Sequence, residues 1–579
     1  MANFFFDNPD LQFQFNRINL SEQVGILEHG YTLAEKFEDA PRDYEEAVDY
    51  YRSALELLGE ICGDRIAPRA MSVDEHGTKF VDGKVEYAPG TVENVKDLGE
   101  AGFMGVIIPR QFGGISCPAT LYMFMIEMLS RADGSLMTLF GYQDVGEAIA
   151  KYGTEEQGHD FLHKYCRGEE IGAMVLTEPG AGSDLQAIKV KAFQDDDGNW
   201  YLNGVKQFIS NGNGGVLLVL ARSEPGTNDL FGLSLFAVHG GDRVEINSVE
   251  HKMGLHGSPT CQLFFNDAPA HLIGNRRFGL IYVLNILNHA RFSVAAQALG
   301  IAEGAYREAL EYAKIREAFG QIIYDIPPVA NMLIDMSTTL EVMRSMIYAG
   351  SHWLDLRNTL EEHIEELKAA GKPFKEEKIR FDRASRFLNL LSPMTKYIAT
   401  EAAVKICYDA QQLHGGMGYM REMPVERMVR DVRITTIYEG TTQVQVSSCA
   451  KRVLSDDLKE LMDEMDARSY HEDVSDLHEM LRENRNDFYR GVEMLTASDS
   501  DAFKGAAMKN VVDMYGDLWA GYLVLGETLE NERKKIIARR FIKQARANAI
   551  AGIERINNAI YSDLSSRDTI CEGLQPVTT

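Results

Sequence analysis

The sequence predicts a mainly α-helical fold with a central β domain, and three observations carry that prediction. Apolar residues recur at helical spacing from the N-terminus to about residue 165. From about 172 to 275 that period gives way to short segments rich in Val, Ile, Leu and Phe. From 278 the helical period returns and holds to about 453. The expected domains are 1–165, helical; 166–277, β; 278–453, a helical bundle; and 454–579, an additional helical, strongly charged domain.

Taken in order, residues 44–61 and 121–128 have helical spacing. Between them the run Asp74 to Lys84 carries two turn signals, at Gly77 and at Asp82-Gly83, and reads as a loop or small hairpin. In the central part, 173–176, 200–202, 216–221 and 233–238 read as strands. The turns Asp197-Gly198-Asn199 and Gly240-Gly241-Asp242 punctuate them, as in an antiparallel sheet. Helices are expected over 285–314, 327–356, 380–412 and 441–453. Gly371-Lys372-Pro373 breaks the series, and the charged run 361–368 reads as a solvated helix end.

The bulk numbers bound the function. A chain of 579 residues suggests three or four domains. Hydrophobic content of 45% and charged content of 25% are those of a soluble globular protein. A net charge of −27 argues against general nucleic-acid binding, which needs clustered Lys and Arg. The seven scattered cysteines show no CxxC or Cys/His ligand spacing, so no metal site is expected and a reducing compartment suits the chain. The start, Met1-Ala2-Asn3-Phe4-Phe5-Phe6-Asp7, has no basic region and no long apolar run, and no stretch reaches membrane-spanning length. The expected location is cytoplasmic.

Three blocks carry chemistry. In Leu176-Thr177-Glu178-Pro179-Gly180-Ala181-Gly182-Ser183-Asp184, a strand gives way to a loop whose glycines allow close backbone approach to a ligand. Its N–H groups and the Thr177 and Ser183 hydroxyls suit a phosphate or the polar edge of a ring, and a plain Gly-Pro turn is the bland alternative. In Arg316-Glu317-Ala318-Phe319-Gly320, a guanidinium suits phosphate oxygens, or else an ion pair with a helix Glu. Leu413-His414-Gly415-Gly416-Met417-Gly418 is followed by Ile437-Tyr438-Glu439-Gly440-Thr441-Thr442-Gln443, which sets one carboxylate beside a glycine and several polar side chains. A proton-abstracting base needs such a setting, although a lone Glu is more often a cap or an ion pair.

In this order the three blocks resemble the acyl-CoA dehydrogenase family of flavoproteins, over roughly residues 45–450. The stretch His251 to Cys261 and the tail after Val453 resemble the long-form branch that includes 3-methylmercaptopropionyl-CoA dehydrogenases. The resemblance implies the family fold, FAD as cofactor and α,β-dehydrogenation of an acyl-CoA. Electrons would leave to an electron-transfer flavoprotein. It places Met174, Thr177, Gly182 and Ser183 at the FAD, with Ser183 also at the substrate. The family's Trp-Ile-Thr is Phe208-Ile209-Ser210 here, so Phe208 would stack on the isoalloxazine and Ser210 would bond near its reactive nitrogen. Arg316 and Phe319 would meet the FAD pyrophosphate region, and Gln412 and Gly416 its adenosine end, across a subunit interface. Thr441 and Gln443 match further cofactor contacts, and Asn288, Arg291 and Gly440 match substrate contacts. Glu439 matches the base, and the other position some members use is closed by Ala290. His289 and His414 read as packing or capping residues.

FAD shared between subunits implies a homo-oligomer. The tail is expected to cover surface that shorter relatives bury in a tetramer, leaving a dimer. Its basic run Arg533-Lys534-Lys535 to Arg546 either meets a membrane or nucleic acid or, more simply, pairs with acidic segments. Phe140, Tyr142 and Gln143 are expected to line the acyl pocket. In glutaryl-CoA dehydrogenases an Arg binds the distal carboxylate; that position falls near Ser135, with Arg131 close by. The rival readings are an oxygen-using acyl-CoA oxidase and a DNA-binding member of the same fold that is no dehydrogenase.

Overall fold

The computed structural model describes residues 2–241, 243–558 and 566–572. Asp242 of the second predicted turn, Met1, and parts of the last predicted domain lie outside the described residues.

The first part is helical: α1 (Pro9–Arg17), α2 (Ser21–Leu27), α3 (Tyr44–Glu60), α4 (Ala67–His76), α5 (Pro89–Glu100), α6 (Ala119–Ala132), α7 (Leu136–Gly141), α8 (Gln143–Tyr152) and α9 (Glu155–Leu162). Its helix starts are written in the sequence. Asn8 and Asp43 cap α1 and α3, and Thr154 with Gln157 forms a capping box on α9. Helix α6 is apolar almost all round and accordingly buried along nearly its whole length. The expected hairpin is β1 (Lys79–Val81) paired with β2 (Lys84–Glu86).

The central part holds β3 (Gly172–Val175), β4 (Lys191–Gln194), β5 (Trp200–Ser210), β6 (Val216–Arg222), β7 (Leu233–His239), β8 (Val244–Val249) and β9 (Thr260–Ile273). The pairings β6–β4–β5–β9–β7–β6 return on themselves, so the sheet closes, with β3 added to β6 and β8 to β9. The sheet is not purely antiparallel as expected, because β3 runs parallel to β6. Strand β6 is buried on both faces. Leu217, Val219 and Ala221 point into the barrel, whereas Val216, Leu218 and Leu220 pack toward the helices. That is why it reads as a continuous apolar run, which conceals its two-residue alternation.

The third part is built on three long helices, α10 (Gly279–Ile315), α11 (Pro327–Ala369) and α12 (Lys375–Leu413); the short hairpin β10 (Glu317–Ala318) and β11 (Gln321–Ile322) lies between α10 and α11. Then come α13 (Pro424–Val432) and α14 (Thr442–Leu454). The tail contributes α15 (Lys459–Asp466), α16 (Ser475–Ala497), α17 (Asp501–Glu527), α18 (Glu532–Asn557) and α19 (Arg567–Cys571). One hydrophobic core runs through the first part, the long bundle and the tail, from Phe5 and Phe124 through Met346 and Leu391 to Trp519 and Ile542.

A buried charged network stitches the two ends of the chain to the bundle. Arg344 bonds Glu127, Glu303 and Asp10, while Lys534 meets Asp10, Glu341 and Glu527. Gln14 of α1 donates to Glu527 of α17. Most of the rest of the basic run is also paired: Arg533 with Glu341, Lys535 with Asp473, Arg539 with Asp476, Arg540 with Asp335 and Arg546 with Asp487. The charge of α18 is thus largely spent inside the molecule. Among the described residues no helix is long and apolar enough to cross a membrane.

Candidate active site

Glu439 lies in the loop between the helical turn Arg433–Thr436 and α14. Its backbone is left-handed, at φ 54°, and Gly440 follows at φ 97°. A glutamate in that conformation is uncommon and must be held by its surroundings. Gln445 Nε2 donates to the Glu439 carbonyl at 2.8 Å and to the Gly440 carbonyl at 3.0 Å. Lys396 Nζ, reaching across from α12, donates to the Gly440 carbonyl at 2.8 Å. Both side chains are fully buried.

The electrostatics follow from that packing. Burial pushes the Glu439 carboxyl above the ordinary range, and the positive charges of Lys396 and Arg291 pull it back. Burial brings Lys396 down to about 8 against the pull of Glu439. Burial lowers Arg291 too, again opposed by Glu439. The result is a poorly hydrated carboxylate flanked by two cations, suited to taking a proton from a bound molecule.

Glu439 opens on a cavity of about 20 Å³ that Met137, Tyr142, Ala290, Val294 and Tyr438 help to line. Of the three expected pocket residues only Tyr142 reaches it. Phe140 is buried beside Tyr122, and Gln143 turns away to donate to the Phe103 carbonyl at 2.8 Å. Both follow the helical spacing of α7 and α8, which turns their side chains into the core. Tyr142 stands where the three parts of the chain meet, near Ser210 of β5 and within electrostatic reach of Glu439.

Arg291 donates to Asn288 Oδ1 at 3.2 Å, and Ser392 donates to the same atom at 2.7 Å, so both predicted substrate residues stand beside Lys396's helix. His289 pairs with Glu147 at 2.9 Å; His414 stacks on Tyr312 and bonds the Ala410 carbonyl. Both histidines are held structurally, as expected.

The Thr177–Asp184 loop is pinned from below. Glu178 accepts from the Lys189 and Val190 N–H groups at 2.7 and 2.9 Å and pairs with the fully buried Lys206 at 3.1 Å. Gln207 N–H donates to the Thr177 carbonyl at 2.9 Å, tying the loop to β5. Met174 is buried in β3 beneath it, while Gly182 and Ser183 are exposed. A side chain built on Gly180 would meet nothing within 4 Å. Where β5 slips register between Lys206 and Ile209, Phe208 takes φ 61° and turns its ring outward, 58% exposed. An open glycine loop with free hydroxyls beside an outward aromatic ring fits a flavin.

The remaining predicted cofactor residues do not gather there. Arg316 and Phe319 lie at the α10 end and in the β10–β11 hairpin, with Phe319 95% exposed. Gln412 and Gly416 lie at the end of α12, joined to that group through the Tyr312–His414 stack. Gln412 is 16 residues beyond Lys396, about 24 Å along a helix. Thr441 caps α14, and Gln443 points outward from its first turn. Sequence reasoning missed Lys396 and Gln445, whose roles come from contacts between helices and carry no local signal.

Known proteins similar to this chain define its family. The family models for the N-terminal, middle and C-terminal domains of acyl-CoA dehydrogenase match residues 51–169, 173–268 and 278–454. The chain is 33% identical over 447 residues to 3-methylmercaptopropionyl-CoA dehydrogenase of Ruegeria pomeroyi, covering 72% of this chain and 73% of that one. Butyryl-CoA dehydrogenase from Megasphaera elsdenii superposes with a TM-score of 0.59 at 28% identity, over 70% of this chain and 98% of that one. An acyl-CoA dehydrogenase of Bacillus anthracis, solved with FAD, shares the fold over 88% of both chains, with a TM-score of 0.72 and 23% identity. The chain belongs to the acyl-CoA dehydrogenase family: it is a flavin oxidoreductase acting on the CH–CH bond of acyl-CoA thioesters, with FAD as its cofactor.

Proposed function

We propose that this enzyme dehydrogenates a short-chain acyl-CoA to the 2-enoyl-CoA, with Glu439 as the base that removes the α proton. The observation that carries the reading is Glu439 itself, a carboxylate held in a left-handed loop over a small cavity between two cations. Met174, Thr177, Gly182, Ser183, Phe208 and Ser210 hold the flavin end of the FAD, and Arg316, Phe319, Gln412, Gly416, Thr441 and Gln443 take the rest. FAD, when bound, supplies the acceptor for the hydrogen leaving the β carbon. Arg291 and Lys396 oppose the rise that burial gives the Glu439 carboxyl, and Asn288, Ser183 and Gly440 position the thioester and pantetheine.

The cavity has room for about one water, so a short acyl group is the one that needs least rearrangement of its lining. A distal carboxylate is not favoured, because Arg131 is already bonded to Asp7 at 2.6 and 2.7 Å and lies over the Phe4 ring. Ser135 is buried and bonded to Asp133. The flavin-end group lies on β3, its loop and β5, and the other at the α10 and α12 ends, which supports an FAD shared across a homodimer interface. The exposed Ile315, Phe319 and Tyr419 mark that face. The two electrons leave to an electron-transfer flavoprotein. The test is anaerobic reduction of the bound flavin by acyl-CoAs of increasing length. Reduction by C4–C5 thioesters well ahead of palmitoyl-CoA is expected, and equal rates across lengths would refute the short-chain reading.

A further inference from the structure

The cavity beside Glu439 contains a second carboxyl. Asp144, in the first turn of α8, is 2% exposed and lines the same cavity. Its Oδ1 has no hydrogen-bond partner in the chain. The Thr138, Ser293 and Tyr438 hydroxyls of the lining are occupied. Thr138 donates to the Ser135 carbonyl at 2.9 Å, Ser293 to the His289 carbonyl at 3.4 Å, and Tyr438 to Gln297. Glu439 is reserved for the α proton. That leaves Asp144 with one unpartnered carboxyl oxygen beside a mostly apolar acyl pocket, a position where an alkyl chain gains nothing and an unmet oxygen costs stability.

The surrounding charges sharpen the point. Glu147, one turn along α8, is matched by His289 at 2.9 Å, and Glu439 is matched by Arg291 and Lys396. Asp144 has no dedicated cation. Burial pushes it up to about 8, with His289 pulling it back and Glu439 adding to the rise. A carboxyl in this state accepts a hydrogen bond from a hydroxyl when neutral and pairs with an ammonium when ionised.

Resting on the dehydrogenase reading above, we infer that Asp144 is a specificity residue for the acyl group: the preferred substrate is a short acyl-CoA whose chain bears a hydrogen-bond donor, a hydroxyl or an ammonium, rather than a plain alkyl chain. A site built around such a bond discriminates strongly against the analogue lacking it, because the buried acid is then left unmet.

The test uses three isosteric thioesters, valeryl-, 4-hydroxybutyryl- and 4-aminobutyryl-CoA, on the FAD-loaded enzyme. The kcat/KM for flavin reduction is read beside the calorimetric Kd of the matching 2-enoyl-CoA. In the wild type, one of the two donor-bearing thioesters should exceed valeryl-CoA by about tenfold or more; which one wins separates the hydroxyl from the ammonium. In Asp144→Leu the preference should collapse or reverse. Asp144→Asn should keep the hydroxyl preference and lose the ammonium one. A wild type that favours valeryl-CoA over both overturns the inference even if the leucine variant fails to fold. So does a leucine variant with an unchanged ratio. Both outcomes leave the dehydrogenase reading standing, because valeryl-CoA still reduces the flavin. A flavin reduced by none of the three and by no plain acyl-CoA overturns both.

Discussion

A single left-handed glutamate organises the site. Glu439 was legible from sequence because its neighbours, Tyr438, Gly440 and Thr441, are contiguous with it. Its supports were not, because Lys396 lies 44 residues upstream of Gly440 on another helix and its Nζ meets a backbone carbonyl, which no side-chain pattern encodes. Asp144 was hidden for a related reason: an acid in the first turn of a helix looks like a dipole partner, and only the packed structure turns it toward the cavity. Two predictions belong here. Glu439→Gln should retain bound flavin but lose about 100- to 10,000-fold in the rate of substrate-driven reduction, read by stopped flow. Lys396→Met should move the acid limb of the kcat/KM profile to higher pH. Removing that cation leaves burial less opposed, so Glu439 binds its proton more tightly; an unmoved limb would mean Lys396 acts through the backbone alone.

At the scale of elements, the Thr177–Asp184 loop depends on strand β5. The glycines of the loop are plain in the sequence, whereas of β5 only residues 200–202 read as a strand. The structure absorbs Gly204 as an irregularity, at φ 136° where the register slips, and carries the strand on to Ser210. This continuation brings Lys206 under Glu178 and Phe208 to the surface. Lys206→Met would strand the buried Glu178 without its cation. A destabilisation of about 3–5 kcal/mol is expected in denaturant titrations, with weakened FAD retention on dilution. The bland reading of the loop as an ordinary turn requires FAD retention to be unaffected.

For the molecule as a whole, the sequence separated an N-terminal lead-in and a tail that the fold joins. Asp10 of α1 and Lys534 of α18 meet beside Arg344, and the three are 524 and 334 residues apart in pairs along the chain. Contacts of that range leave no trace in periodicity or spacing. Lys534→Met should cost about 3–5 kcal/mol by removing the buried cation that Asp10, Glu341 and Glu527 share. The same network makes the fold acid-sensitive. Burial works against the Glu303 carboxylate, but Arg344 and Arg307 outweigh it and hold the group at about 2, below its ordinary 4.5. The folded pKa is depressed, so this stabilisation is complete above about pH 4.5 and is lost as pH falls through 2. Thermal midpoints should therefore fall over that window, and less steeply in Glu303→Gln. The exposed apolar face at Phe319 and Tyr419 predicts a dimer by light scattering, with Arg316→Glu yielding flavin-poor protein.

The most direct test of the central claim is anaerobic titration of the yellow holoenzyme with a short acyl-CoA, wild type beside Glu439→Gln. The account predicts that the wild-type flavin bleaches with formation of the 2-enoyl-CoA, while the variant binds the thioester and stays yellow. A variant that bleaches as fast as wild type would contradict Glu439 as the base. A wild type left yellow by every acyl-CoA would contradict the dehydrogenation itself.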